Sequence, residues 1–236
     1  MASLMNVFDV LLQLPGMEAP DLTFTEQMAQ SWEDAGFMRW PLGLCLLVGI
    51  LVIIWKFFDI FRKSASTRRI LREVDELLSA RQTKEALEVT RESNSPAANI
   101  LHAGLERQDE GTDRVMKAIE NQGLIELSKL ESGLVVLATL TNVAPLLGFL
   151  GTVMGMIAAF QAIELAGEVD ATTVASGIKI ALTTTAAGLA IAIPVSIFHN
   201  YFVSRIDNLV IDMEESAQKM IDALFSMQAG QTAGGD

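Results

Sequence analysis

Thr152, Thr184 and Thr185 are polar side chains set inside runs that carry no charge, from Ser132 to Ile163 and from Ile180 to Ser204. Thr152 lies twelve residues before Glu164, and Thr185 lies twelve after Thr173. At about 1.5 Å per helical residue, both sit roughly 18 Å in from the same end of two antiparallel helices. There they can face one another and line a polar path. The chemistry open to them is limited: a hydroxyl hydrogen-bonds water or a passing proton carrier, but holds no proton of its own near neutral pH. No Asp, Glu, Lys or Arg lies in either run, and such residues are the usual mark of an intramembrane relay. If these threonines line a proton path, another polypeptide must bring the titrating group. A bland alternative stands beside this one, because a threonine inside an apolar helix can satisfy itself on the i−4 carbonyl. For Thr183 that is the preferred reading.

The positions around the threonines are small. Gly148, Gly151, Thr152, Gly155 and Ala159 fall within an arc of roughly 100° on a helix, and Gly177, Ala181, Thr185, Gly188, Ala192 and Ser196 form a comparable stripe. Small residues let backbones approach closely in lipid, so these stripes read as helix-packing faces. Pro194 introduces a bend that serves either packing or function. His199 reads as an interfacial hydrogen-bonder and His102 as a structural or solvated side chain.

Both runs exceed the roughly 20 residues that cross a bilayer core. A third uncharged block, Trp40 to Trp55, crosses if Arg39 and Lys56 snorkel to opposite interfaces beside Trp40 and Trp55. The expectation is an all-α membrane protein. It has a periplasmic N-terminal segment at 1–35, spans at 36–58, 132–163 and 174–204, a cytoplasmic helical domain at 59–131, a periplasmic loop at 164–173, and a cytoplasmic C-terminal helix with a disordered tail at 205–236. The long second and third helices extend toward the cytoplasmic domain. Thirteen of the seventeen Lys and Arg fall between Lys56 and Lys129, whereas residues 1–38 carry none. The positive-inside rule therefore places the N-terminus outside and the C-terminus in the cytoplasm. Ala2 to Leu14 reads as a short amphipathic helix, lying on the membrane or docked against a span. In the cytoplasmic segment, Ser93-Asn94-Ser95-Pro96 should end one helix and start the next, with Gly111 as a second break.

Composition agrees. Half of the 236 residues are hydrophobic and 19% are charged, with a mean hydropathy of +0.36. The net charge of −12 disfavours a nucleic-acid binder. One cysteine and two histidines exclude an internal disulfide framework and leave little for a metal site. No nucleophile–base pair or phosphate-binding loop is visible, so neither an enzyme nor a bound cofactor is expected.

The run Ala144-Pro145-Leu146-Leu147-Gly148-Phe149-Leu150-Gly151-Thr152-Val153-Met154-Gly155 resembles the second-span signature of the MotA/TolQ/ExbB proton-channel family, its ExbB/TolQ branch above all. Thr184-Thr185-Ala186-Ala187-Gly188 through Pro194, with Asn200, resembles the third-span signature, and Glu92-Ser93 with Ala103-Gly104-Leu105 resembles the cytoplasmic domain. The resemblance implies a homopentamer in the bacterial inner membrane whose second and third helices surround a pore. It also implies an ExbD- or TolR-like single-span partner that supplies an aspartate, and a TonB- or TolA-like protein that receives the work. The family's pore threonines map onto Thr152 and Thr185, with Thr184 beside them. One departure is Ile180, where many ExbB-like relatives carry glutamate. A MotA-like stator, which normally has four spans, and a purely structural membrane scaffold are the competing readings.

Overall fold

The computed structural model describes residues 36–233, with side chains to Ser226; the amphipathic helix expected at 2–14 lies outside them. Among the described residues six α-helices follow one another: α1 Arg39–Ser79, α2 Thr83–Glu92, α3 Pro96–Leu105, α4 Thr112–Glu131, α5 Leu134–Ala166 and α6 Ala171–Ala233. Among the described residues there is no strand. Three helices, α1, α5 and α6, are long and apolar enough to cross a membrane. At about 1.5 Å per residue, the 41 residues of α1 and the 63 of α6 far exceed a bilayer core. The sequence placed a disordered tail from Gln228, but the helical backbone continues to Ala233. Met227, Gln228 and Ala229 are good helix formers, and a single glycine at 230 costs only about 1 kcal/mol.

Contacts fall into two units. The first holds 36–42 and 147–188, and is a helix pair closed by the Gly167 turn, where φ is +73°. Asp170 caps α6: its carboxylate accepts from the Thr172 and Thr173 amides at 3.3 and 3.2 Å and from both hydroxyls. The Thr172 hydroxyl foremost, then the other donors, hold this carboxyl below its ordinary range.

The second unit holds 43–146 and 189–233. Its core is a ladder of apolar side chains at helical spacing, with Ile70, Leu71, Val74 and Leu78 on α1 and Phe202, Ile206, Leu209, Met213 and Met220 on α6. The short α3 is buried on most of its surface. It begins where the sequence required, with Ser95 as cap accepting from the Ala98 amide at 3.2 Å and Pro96 in the first turn. Gly111, with φ of +92°, supplies the second break. The turn at Arg81, with φ of +59°, carries neither Gly nor Pro and left no mark in the sequence. On α4, the buried Glu126 carboxylate gathers Asn99 of α3 at 3.0 Å, Gln122 at 3.1 Å and Lys129 at 2.8 Å. Such pairing is what makes a buried carboxylate tolerable.

Lys56 corrects an expectation. It does not snorkel: it is fully buried, and its ammonium donates to the Leu130 carbonyl at 2.6 Å and the Ser132 carbonyl at 2.7 Å. Those carbonyls end α4 and form the turn into α5, where oxygens otherwise lack donors and where the helix dipole favours a cation. The Trp55 ring lies against Gly133, leaving no room for a Cβ there. Together, Trp55 and Lys56 clamp the entrance of α5. Replacing Lys56 by Met should destabilise the chain by about 2–3 kcal/mol, since charge-assisted bonds are lost and carbonyls stay buried. The check is the thermal unfolding midpoint in detergent; an unshifted midpoint would show that the clamp contributes nothing.

Candidate functional site

Within the first unit, α5 and α6 meet along a seam of small residues. Gly148, Gly151, Gly155 and Ala159 are buried on α5, opposite Gly177, Ala181, Thr184 and Gly188 on α6. The spacing of three and four residues is that of one helical face. A Cβ built on Gly148 would stand 2.9 Å from the Thr184 carbonyl oxygen and 3.1 Å from the Thr185 Cα. One on Gly155 would stand 3.1 Å from the Gly177 carbonyl, and one on Gly177 would overlap the Ala159 methyl. At Gly151 the added carbon would fall 2.5 Å from the Thr184 Cβ. Glycine is therefore required by the approach of the facing backbone at Gly148 and Gly155, and by the Thr184 and Ala159 side chains at Gly151 and Gly177; close approach at small residues is the device that holds helices together where water cannot drive them.

The seam distinguishes the threonines. Thr184 is fully buried, and its hydroxyl donates to the carbonyls of Ile180 and Ala181 at 3.1 and 2.9 Å. It fills the notch left by Gly151, so it is a packing residue rather than an open lining. The self-satisfied threonine expected at 183 is thus found at 184, with Thr183 half-buried beside it. Thr185, placed by the sequence within the small-residue stripe, lies at the seam's edge, half-buried, and donates across to the Gly148 carbonyl of α5 at 3.2 Å. Thr152, also half-buried, donates to the Phe149 carbonyl at 2.6 Å. The two hydroxyls thus occupy consecutive carbonyls of one helix.

This arrangement has a chemical consequence. A threonine that spends its hydrogen on a backbone carbonyl presents its oxygen lone pairs outward. Thr152 and Thr185 therefore each offer an acceptor oxygen, suited to water or to a positively charged proton carrier and unsuited to an anion. Around them the helices present apolar surface, with Phe149, Val153 and Leu182 all exposed. Neither helix supplies a carboxylate within its uncharged run.

The remaining candidates are placed as follows. Gly188 and Ala181 belong to the seam, and Gly148, Gly151 and Gly155 form its other wall. Pro194 lies in the second unit, exposed, and α6 runs through it unbroken. It is not a packing residue within this chain. Ile180 is half-buried and gives its carbonyl to Thr184. His199 approaches Asn200 at 3.3 Å, and His102 approaches the Thr90 hydroxyl at 3.3 Å. Sequence reasoning missed Lys56 as the cap of α4 and Glu126 as the tie between α3 and α4. Both act on partners 74 and 27 residues away, and no local pattern announces them.

Known proteins resemble this chain over most of its length. The model of the MotA/TolQ/ExbB proton channel family matches residues 92–215. An ExbB homologue of the biopolymer transport type from Methanothermobacter thermautotrophicus is 29% identical over 202 residues, covering 85% of this chain and 71% of that protein. The biopolymer transport protein ExbB of Pseudomonas putida is 30% identical over 76% of this chain, which spans 57% of its length. The Tol-Pal system protein TolQ of Pseudomonas aeruginosa is 34% identical over half of this chain and 55% of its own. Three apolar helices, a glycine seam between the second and third, and these matches lead to one conclusion: the chain is an all-helical membrane protein that belongs to the MotA/TolQ/ExbB proton channel family, in its ExbB/TolQ branch.

Proposed function

We propose that this ExbB/TolQ-type channel subunit forms a homopentamer in the bacterial inner membrane and conducts protons past Thr152 and Thr185. In this reading an ExbD- or TolR-like single-span protein sits inside the ring and brings the membrane-embedded aspartate that the two uncharged runs lack. Proton passage would then drive a TonB- or TolA-like protein that reaches the outer membrane. The observation that carries the proposal is the pair of threonine hydroxyls bonded to the Gly148 and Phe149 carbonyls, within helical runs that hold no Asp, Glu, Lys or Arg. The energy is adequate, since one charge crossing the membrane gains about 2.3 kcal/mol per 100 mV.

The test is to purify the tagged chain from its native membrane in mild detergent and identify its companions by mass. A small single-span protein with a membrane-embedded aspartate, held by several copies of this chain, is the expected result. A homo-oligomer that always comes away alone would favour the scaffold reading. Orientation is tested separately with an impermeant thiol reagent on intact cells. A cysteine at Ala171 should label and one at Thr112 should not; the reverse would overturn the placement of the termini.

A further inference from the structure

The second unit holds a cleft of about 280 Å³ between α1 and α6, unrelated to the threonine pair. The two helices are cross-linked in register by Arg68 with Asp212 at 3.8 Å and Asp75 with Lys219 at 3.7 Å, both pairs 144 residues apart. The same offset sets Phe57 beside Tyr201 and Phe61 beside Arg205, and all four line the cleft with Arg68. Its character changes along its length. At one end, where the uncharged blocks finish, it is walled by aromatic rings, Phe57 and Phe61 being stacked at 6.3 Å and exposed. Further along it carries two guanidinium groups. Arg205 is held over the Tyr201 ring, with Nε donating to the Tyr201 hydroxyl at 3.1 Å. Arg68 meets Asp212 through Nε. Each fork thus uses its inner nitrogen within the chain and leaves its outer nitrogens for a ligand. Among the described residues Asp212 is the one acid lining the cleft, against Arg68 and Arg205, so the balance there is positive although the whole chain is at −12.

We infer that this cleft binds the headgroup of an anionic phospholipid, the phosphate lying between Arg68 and Arg205 and the acyl chains running along Phe57 and Phe61. Basic pockets between spanning helices at the membrane surface are suited to such headgroups, and Arg matches a phosphate better than Lys does. Aromatic rings favour the same interfacial depth. Placement in the cytoplasmic leaflet rests on the orientation proposed above; the binding itself does not.

The experiment uses the full chain with whatever partner co-purifies, delipidated in detergent and titrated with phosphatidylglycerol or phosphatidylcholine under native mass spectrometry. Phosphatidylglycerol should be retained and phosphatidylcholine should not. The double variant R68Q/R205Q should bind phosphatidylglycerol about thirty-fold more weakly, at about a factor of five per basic residue. R114Q, outside the cleft, should bind as the native chain does. Both cleft arginines are exposed, so circular dichroism should show an unchanged fold. Equal retention by R68Q/R205Q, or equal retention of the two lipids, would overturn the inference. Displacement by glycerol 3-phosphate at equal concentration would make it a free-anion site instead. A cysteine at Ser64 that crosslinks two copies, with no lipid retained, would make it a contact between subunits. Reversed labelling at Thr112 would move the cleft to the other leaflet and undo the orientation while leaving lipid retention intact.

Discussion

Gly151→Ala lowers the stability of the folded chain by about 2–3 kcal/mol, and Gly151→Leu prevents α5 and α6 from packing at all. The first effect follows from overpacking a tight contact, because the new methyl falls 2.5 Å from the Thr184 Cβ. That carbon is fixed to the backbone and cannot rotate away, so relief requires the helices to separate. Separation would also break the Thr185 bond to Gly148 and loosen the approaches at Gly155 and Gly177. A leucine adds three more carbons where one does not fit. The check is thermal unfolding in detergent together with the yield of assembled complex. The reciprocal swap G151A/T184G removes the obstructing side chain and should recover more than half of the loss, short of full recovery because glycine costs about 1 kcal/mol in a helix. A Gly151→Ala protein as stable as the native one would show that the seam has slack.

Thr185→Val is expected to leave assembly nearly intact and to reduce proton-driven work by about tenfold or more. Valine keeps the branched shape at the seam's edge, and the Gly148 carbonyl loses a second donor, a cost of about 1 kcal/mol or less. What disappears is the oxygen that we propose lines the path. Hydrogen bonds to charged species are worth about 1.5–3 kcal/mol, so removing one from a charged carrier slows passage by about 10- to 150-fold. The measurement is proton flux in vesicles holding the whole complex, normalised to assembled protein. Thr185→Ser should restore most of the flux. Thr184→Ser should change stability more than flux, since Thr184 faces the other helix. Native flux in correctly assembled Thr185→Val would remove the lining role.

The contrast between Thr184 and Thr185 shows where sequence reasoning stops. The two are adjacent, hence about 100° apart on the helix. From spacing alone Thr185 joined the stripe with Gly177, Ala181 and Gly188, but the neighbouring register, with Thr184, fits the same small residues equally well. The rotation of α6 about its axis selects between them, and that rotation is decided by Gly151, which offers a notch only the Thr184 side chain fills. On α5 no such ambiguity arose, because Gly148, Gly151 and Gly155 leave a single narrow face and Thr152 falls at its border.

By itself, the sequence determined the three apolar helices, the breaks at Ser95 and Gly111, the small-residue faces and the absence of a titrating group between Ser132 and Ile163. These properties depend on residue type and on spacing within one helix, where the period is constant. Tertiary structure alone decided the inward turn of Lys56, the Glu126 tie, the choice of Thr184 for the seam and the pairing of Arg68 and Arg205 in one cleft. Hydropathy separates what avoids water from what does not, yet in a membrane helix the packed face and the lipid face are both apolar. Which face meets which neighbour is settled by shape and by hydrogen-bond partners dozens of residues away, and those exist only once the helices are side by side.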